Sequence, residues 1–360
     1  MNIIYHIPWE IKVGRKSATG IRPLEMLEAF KNLGCNVYTV MGSGHDRKVA
    51  IRSIKTLINS GVKFDFVYSE SSTAPTFIAS GWKDFLKYGS LDLKFLKYCR
   101  KNGLKLGLFY RDIYWRYPEY MEEIPFLKRI ILQLTYRLDL IWYKKWVTNL
   151  YLPSVKMSRL LGKYSFNVKG LPPAGSEIDY IDNLNNKKQD LNLFYVGGTN
   201  ENYKLHKLFK IVSNKIGTKL RYCTRKDEWN IVSSQYKSGS NIEVIHKSGK
   251  ELKEELINAD IGMLFFETDE YRTFAMPVKM FEYLSYGIPV IATEGTAAGD
   301  WVKKNGVGWT IPYSEEALDN LLNNLIENPN QIVNTKKNIS NVLKDNLWSS
   351  RAEQVIKDLR

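Results

Sequence analysis

Two charged residues three positions apart, Lys279 and Glu282, are the natural starting point for chemistry in this 360-residue chain. At helical spacing they share a face with Tyr283 and Tyr286, while Val278, Phe281 and Leu284 fall on the other. A carboxylate one turn inside a crevice-facing helix can accept two hydrogen bonds from a sugar diol. An ammonium beside the positive helix end can neutralise a phosphate. The same pair also reads as an ordinary i,i+3 contact on a solvated face, worth roughly a few tenths of a kcal/mol. A second constellation is Arg111-Asp112, opposite charges following an apolar run; they suit either a site or a structural pair that caps a strand end. Short loops supply the rest. Gly197-Gly198-Thr199 lets backbone N–H groups approach a diphosphate, and Gly295-Thr296-Ala297-Ala298-Gly299 can do the same. Arg225 with Lys226, and His246-Lys247-Ser248-Gly249, follow apolar runs in the same way. Each loop alone is an ordinary turn. Their recurrence around Glu282 makes the signal.

Those groups need a scaffold that brings them to one edge, and the hydrophobic pattern supplies it. Apolar runs Ile261–Phe266 and Ile288–Ala292 are short, continuous and bounded by turn residues, as strands buried on both faces of a parallel sheet are. Between them Pro277 pre-sets a first helical turn, and Gly287 ends the helix in a left-handed conformation. Going back to the start, strands are expected at Ile3–Ile7, Asn36–Val40, Phe64–Ser69 and Leu104–Tyr110, with helices near Ile21–Leu33 and Arg47–Asn59. The loop Pro8–Gly20 lacks GxGxxG, although Arg15, Lys16, Ser17 and Gly20 suit a phosphate approach as well as a plain connection. After Ile124–Val147, a long helical stretch, come Thr148–Leu152, a helix from Ser154 and a strand at Phe166–Lys169. Residues 171–191 read as a linker, with Pro172-Pro173-Ala174-Gly175 followed by a polar tract. The βα rhythm then restarts, with strands at Leu193–Val196, Lys219–Cys223 and Ile242–Ile245. The expected division is 1–170, a linker at 171–191, 192–340, and a C-terminal helical segment 341–360.

The run from Pro277 to Ile291, PxKxFEYLxxGxPVI, resembles the donor-site helix of GT-B glycosyltransferases. It is similar to the large retaining family that uses nucleotide-sugar donors (glycosyltransferase family 4-like), of bacterial surface-polysaccharide type. The resemblance implies two Rossmann-like domains with parallel sheets facing across a cleft, and a C-terminal helix, here LWSSRAEQVIKDL, that returns to the first domain. It implies that Glu282 binds the donor ribose and that Gly198 and Thr199 meet the donor phosphates. Lys279 and Arg225, with Thr296 and Ala297, would stabilise the departing diphosphate, and His246 and Lys247 would lie at the nucleobase. Asp112 becomes the candidate catalytic base or acceptor ligand, with Arg111 beside it. A second family glutamate has Phe274 in its place here, so the stereochemical outcome is left open. The resemblance implies a nucleotide diphosphate sugar as donor, no cofactor and no metal, and a glycan or a lipid-linked glycan as acceptor. Two rivals share the fold: a nucleotide-sugar epimerase, and a non-catalytic subunit of a glycan assembly complex.

Composition narrows the classes further. No two aspartates are spaced DxD, which argues against metal-dependent GT-A chemistry. Cys35, Cys99 and Cys223 are scattered, so a reduced, cytoplasmic setting is expected. The net charge of +14 is dispersed and accompanied by no nucleic-acid motif, so no nucleic-acid partner is expected; an anionic membrane surface or a polyanionic substrate fits the charge as well, and charge alone decides little. Ile124–Val147 is apolar nearly all round yet carries Lys128, Arg129, Arg137, Lys144 and Lys145 with Trp142 and Trp146. It suits either the inner face of a cell membrane or a buried helix whose basic side chains reach out to water.

Overall fold

Alternating apolar strands and amphipathic helices can bury both faces of a strand only if helices cover a parallel sheet on two sides. The computed structural model shows that arrangement twice. It describes residues 1–11, 18–117, 121–122, 124–177, 190–199, 204–236 and 239–360. The chain forms two compact units, Met1–Pro172 with Trp348–Arg360, and Pro173–Leu347.

In unit 1 the strands are β1 (Asn2–His6), β2 (Asn36–Val40), β3 (Phe66–Glu70), β4 (Lys105–Phe109), β5 (Asn149–Leu152) and β6 (Val168–Gly170). They pair in parallel in the order β2-β1-β3-β4-β5-β6. Connecting helices are α1 (Ala18–Asn32), α2 (Gly44–Asn59), α3 (Phe85–Tyr88), α4 (Leu91–Lys101) and α5 (Phe126–Trp146). Helix α2 starts three residues earlier than its periodicity suggests, because Ser43 and Asp46 form a reciprocal capping box. The helix expected from Ser154 is a 3₁₀ segment, Val155–Leu161, with Ser154 as its cap.

Unit 2 repeats the plan with β7 (Leu191–Val196), β8 (Thr218–Cys223), β9 (Ile242–Ile245), β10 (Ile261–Leu264), β11 (Val290–Thr293) and β12 (Gly308–Ile311), ordered β12-β11-β10-β7-β8-β9. Its helices are α6 (His206–Ser213), α7 (Lys226–Val232), α8 (Lys250–Asn258), α9 (Val278–Ser285), α10 (Ala297–Asn305), α11 (Glu315–Glu327) and α12 (Asn330–Lys344). The start of the expected linker is not free chain. The Gly175 N–H donates to Asn346 O at 2.9 Å and the Ser176 N–H to Ser285 Oγ at 2.9 Å, which ties the segment to unit 2. Residues 178–189 lie outside the described residues.

The last helix, α13 (Trp348–Leu359), belongs to unit 1, against α1 and β4. Leu359 comes so near β4 that a Cβ on Gly107 would sit 2.7 Å from its side chain, so only glycine fits there. Asp358 accepts from Tyr151 Oη at 3.1 Å and pairs with Lys169 Nζ at 2.5 Å, which seats the helix on β5 and β6.

Candidate active site

Helix α9 is set by its contacts below. A Cβ on Gly262 of β10 would lie 2.4 Å from the Tyr283 ring, so the glycine admits the aromatic side chain into the sheet–helix interface. The Tyr283 hydroxyl accepts from the Val196 N–H at 3.0 Å, tying α9 to the carboxyl end of β7. Tyr283 is fully buried and belongs to the core; this corrects the placement with Lys279 and Glu282 that spacing alone suggests. Gly287 closes the helix at φ 65°, as expected. Above this packed face, Lys279 Nζ donates to Glu282 Oε2 at 2.6 Å, with 28% and 30% of the two side chains exposed. Both charges act on the Cys223 thiol at the end of β8, whose pKa is raised chiefly by burial.

The neighbouring strand ends carry the glycine loop and the basic residues. Tyr195 Oη donates to Gly198 O at 2.7 Å, and the Thr199 N–H donates to Glu228 Oε2 at 3.2 Å. The buried hydroxyls of Thr199 and Thr224, at the ends of β7 and β8, have no hydrogen-bond partner among the described residues. Arg225 pairs with Glu228 on the surface, and Lys247 Nζ donates to Glu255 Oε1 at 2.6 Å. That hydrogen bond holds the Lys247 ammonium above its ordinary pKa. His246 Nδ1 lies 2.8 Å from Thr224 O, a carbonyl that can only accept, so Nδ1 carries a proton and donates it there. Thr296 caps α10: its Oγ1 accepts from the Gly299 N–H at 2.9 Å and donates to Thr293 O at 2.7 Å. Ala297 begins that helix, buried. Phe274 is buried as well, an apolar side chain in an edge-on contact with Tyr271. Lys207, near the glycine loop, is bound to Tyr313 O at 2.8 Å.

In unit 1 the charged partner of Arg111 is Glu70 at the end of β3, with Nη2 to Oε2 at 3.4 Å. The strand-end pair Arg111–Asp112 is therefore not the hydrogen-bonded unit that adjacency suggests. Asp112 instead meets the Tyr114 N–H at 3.5 Å and the Thr73 side chain. Burial pushes its carboxyl up to about 7, with Arg111 opposing. Such a group is poised to give or take a proton near neutrality.

Helix α5 frames this region. Its Tyr136 Oη donates to Thr73 O at 2.6 Å, its Gln133 amide to Trp115 O at 2.5 Å, and Asp139 Oδ2 accepts from the Thr76 N–H at 2.6 Å. The loops after β3 and β4 are thus both held by α5. Asp139 is buried, and burial pushes its carboxyl up to about 7 too. Glu70, Asp139, Tyr136 and Glu228 are site-shaping residues that sequence reasoning missed. Glu70 had a signal, a carboxylate at the end of an apolar run; the others act through distant partners and had none. Arg15, Lys16 and Ser17 lie outside the described residues, and Gly20 is buried within α1.

Two six-stranded parallel sheets with helices between successive strands, and a last helix returned to the first unit, define a GT-B fold. Residues 213–354 match the family model described as Glucosyltransferase 3-like, C-terminal domain. A 108-residue segment is 24% identical to Glucosyltransferase 3 of Streptococcus parasanguinis, covering 29% of this chain and 33% of that protein, so the match spans about a third of the relative's length. Among solved structures, Alr3699/HepE from Anabaena in complex with UDP matches over 100% of this chain and 99% of its own, with TM-score 0.66 and 12% identity. Sucrose-phosphate synthase from Thermosynechococcus elongatus matches over 99% and 98%, with TM-score 0.62 and 12% identity.

Proposed function

We propose that the protein is a glycosyltransferase that moves a sugar from a nucleotide diphosphate sugar to an acceptor hydroxyl. The observation that carries this reading is the carboxyl edge of the unit 2 sheet. There the Lys279–Glu282 pair stands in the first turn and a half of α9, on the same sheet edge as the Thr199 and Thr224 hydroxyls that lack partners among the described residues. The match of 213–354 to a glucosyltransferase-like domain and the solved HepE complexes with UDP and UDP-glucose support it. In this mechanism Glu282 exchanges its lysine for the ribose diol and frees Lys279 for the diphosphate, where negative charge grows as the glycosidic bond breaks. The Thr199 and Thr224 hydroxyls add donors, as does the Thr199 N–H once it leaves Glu228. Asp112 in unit 1 serves the acceptor hydroxyl as base or ligand. The test is calorimetry against UDP and other nucleotides, followed by transfer of labelled sugar to glycan and lipid-linked acceptors. Nucleotide-sugar binding without transfer, in every acceptor series, would favour the non-catalytic subunit; release of free sugar without an acceptor would favour the epimerase.

Helix α5 supports a reading of the acceptor setting. Its inner face, including Leu132, Tyr136, Leu140 and Tyr143, is buried, while Phe126, Leu127, Ile130, Leu134, Leu138 and Ile141 are exposed. Lys128, Arg137, Lys144 and Lys145 border that exposed face, and the helix's one acidic residue, Asp139, is buried. No helix among the described residues is long and apolar enough to cross a membrane. An apolar stripe with a basic border suits the interface of an anionic bilayer, so we place α5 on the cytoplasmic face of a membrane and the acceptor on a lipid-linked glycan in surface-polysaccharide synthesis. Vesicle sedimentation tests this: binding to anionic but not neutral vesicles, lost in high salt, is expected. Equal recovery with both overturns it.

A further inference from the structure

We infer that the strand-end cluster of unit 1 built on Arg22, Glu70 and Arg111 is an anion site that takes a phosphate group of the acceptor, a reading that rests on the transfer reaction proposed above. Arg22 is 2% exposed, its guanidinium carbon 3.5 Å from the centre of the Phe109 ring and 5.6 Å from that of Trp348. Its Nε lies 3.4 Å from Glu70 Oε1, while Arg111 Nη2 lies 3.4 Å from Glu70 Oε2. Glu70 also accepts from Tyr68 Oη at 3.1 Å. One carboxylate therefore faces two guanidinium groups. A third, Arg351, is close enough that the charge of Arg22 adds to burial in lowering its pKa to about 10.

The cluster is left positive and short of acceptors. Arg22 Nη2 and Arg111 Nε have no hydrogen-bond partner among the described residues, and Arg22 Nε has only its ion pair with Glu70. Asp112 adjoins Arg111, but burial holds its carboxyl up to about 7, so at neutral pH it supplies only part of a compensating charge. Buried ions are costly unless matched, and an anion that completes the set lowers that cost. The planar guanidinium fork matches phosphate oxygens. The position fits as well: Glu70 and Arg111 stand at the carboxyl ends of β3 and β4, the edge where open α/β sheets hold ligands. Arg111, 10% exposed and 5.8 Å from the Trp9 ring centre, is the point where the cluster meets solvent.

The phosphate can be that of a phosphorylated sugar or the headgroup of a lipid-linked glycan. The test uses the full chain, with inorganic phosphate as probe, followed by calorimetry and thermal melting. Saturable binding is expected, weakened at least tenfold in Arg111→Gln and three- to tenfold in Arg111→Lys, which keeps the charge but loses the fork. Lys219→Gln, an exposed residue at the amino end of β8 in unit 2, should leave it unchanged. Phosphate binding that survives both Arg111 variants, or that is lost only in Lys219→Gln, overturns the site. Competition by a hexose 6-phosphate assigns the first source, and by a polyprenyl diphosphate in detergent micelles the second; competition by neither overturns the acceptor role. A parallel UDP titration separates the two readings. Absent UDP binding in wild type sinks the transferase reading, whereas normal UDP binding without phosphate binding sinks only this one.

Discussion

At the carboxyl edge of the unit 2 sheet, Lys279, Glu282, Arg225 and Lys247 each have a charged partner at hydrogen-bond distance and keep part of their surface in water. At the same edge of unit 1, Glu70, Arg111 and Asp112 are nearly enclosed. The two edges ask different things of a ligand. Exposed pairs are worth little to stability, so a ligand can take either partner at small cost. For Arg111 and Asp112 desolvation appears as shifted proton affinity, which reversible binding does not need but proton transfer does. Under the proposed function, this contrast assigns the donor to unit 2 and the proton transfer to Asp112 in unit 1.

The largest expected effect tests the second half of that contrast. Asp112→Asn keeps the side-chain size but removes the basicity. Turnover should fall by roughly 10²–10⁴, the usual range for a general base, while UDP affinity stays within a few-fold. In the wild type, turnover should climb with pH and level off above about 7, where the Asp112 carboxyl is ionised. A folded variant with near-normal turnover removes Asp112 from the mechanism.

The second effect tests unit 2. Glu282→Ala should weaken UDP binding by roughly 1.5–3 kcal/mol, the range for hydrogen bonds to a charged group. Its melting temperature should move little, because the pair it breaks is partly exposed. Unchanged UDP affinity in calorimetry would separate Glu282 from the ribose.

The two edges also differ in how far they could be read from sequence. The unit 2 motif was legible because it is local: Pro277, Lys279, Glu282 and Gly287 fall within eleven residues and report one helix with its start and stop. Tyr283 was misplaced for a physical reason. Helical spacing gives an angle, but depth depends on the missing side chain at Gly262, about twenty residues earlier in the chain. In unit 1 the adjacency of Arg111 and Asp112 suggested a pair, yet charge partners are chosen across strands. Glu70 is 41 residues from Arg111 and reaches it because β3 and β4 are neighbours in the sheet. Likewise, periodicity could not decide whether the α5 stretch is buried or surface-lying, since its composition is apolar on both faces. The fold itself was more accessible, because buried parallel strands write themselves as short apolar runs whatever lies beside them.

Asp139 offers a smaller effect that probes how unit 1 bears its enclosed charge. Its carboxyl is pushed up to about 7, against roughly 3.9 in an unfolded chain. The folded state keeps a proton that the unfolded state releases, so the Asp139 contribution to stability is full below about pH 4. It is lost as pH rises to about 7 and is flat beyond. Asp139→Asn should remove that slope and make the protein more stable at pH 8 by roughly 1–3 kcal/mol, provided its oxygen still accepts from the Thr76 N–H. Thermal melts of both proteins from pH 4 to 8 check this. Parallel curves would mean that Asp139 is ionised at neutral pH and compensated by its neighbours.

The smallest expected effect is at Arg225, and it sets the floor of the comparison. Arg225 pairs with Glu228 across one helical turn, and two-thirds of its side chain is open to solvent. Removing such a pair should change stability by no more than about 0.5 kcal/mol, so Arg225→Gln should melt with the wild type. Affinity is a separate matter. If Arg225 turns from Glu228 to the diphosphate when donor binds, the variant should bind UDP several-fold more weakly, and that loss should shrink as salt is raised, because an exposed charge is screened. Glu228 sharpens the test. It also accepts from the Thr199 N–H in the glycine loop, so Glu228→Gln frees Arg225 while leaving an acceptor for that amide. UDP should then bind as well as in the wild type or better. Tighter binding in Glu228→Gln with weaker binding in Arg225→Gln would show that the surface pair is a latch exchanged for ligand. Equal affinity in all three proteins would leave the diphosphate to Lys279 and the Thr199 and Thr224 hydroxyls, and unit 2 would hold its donor with fewer charges than its sequence displays.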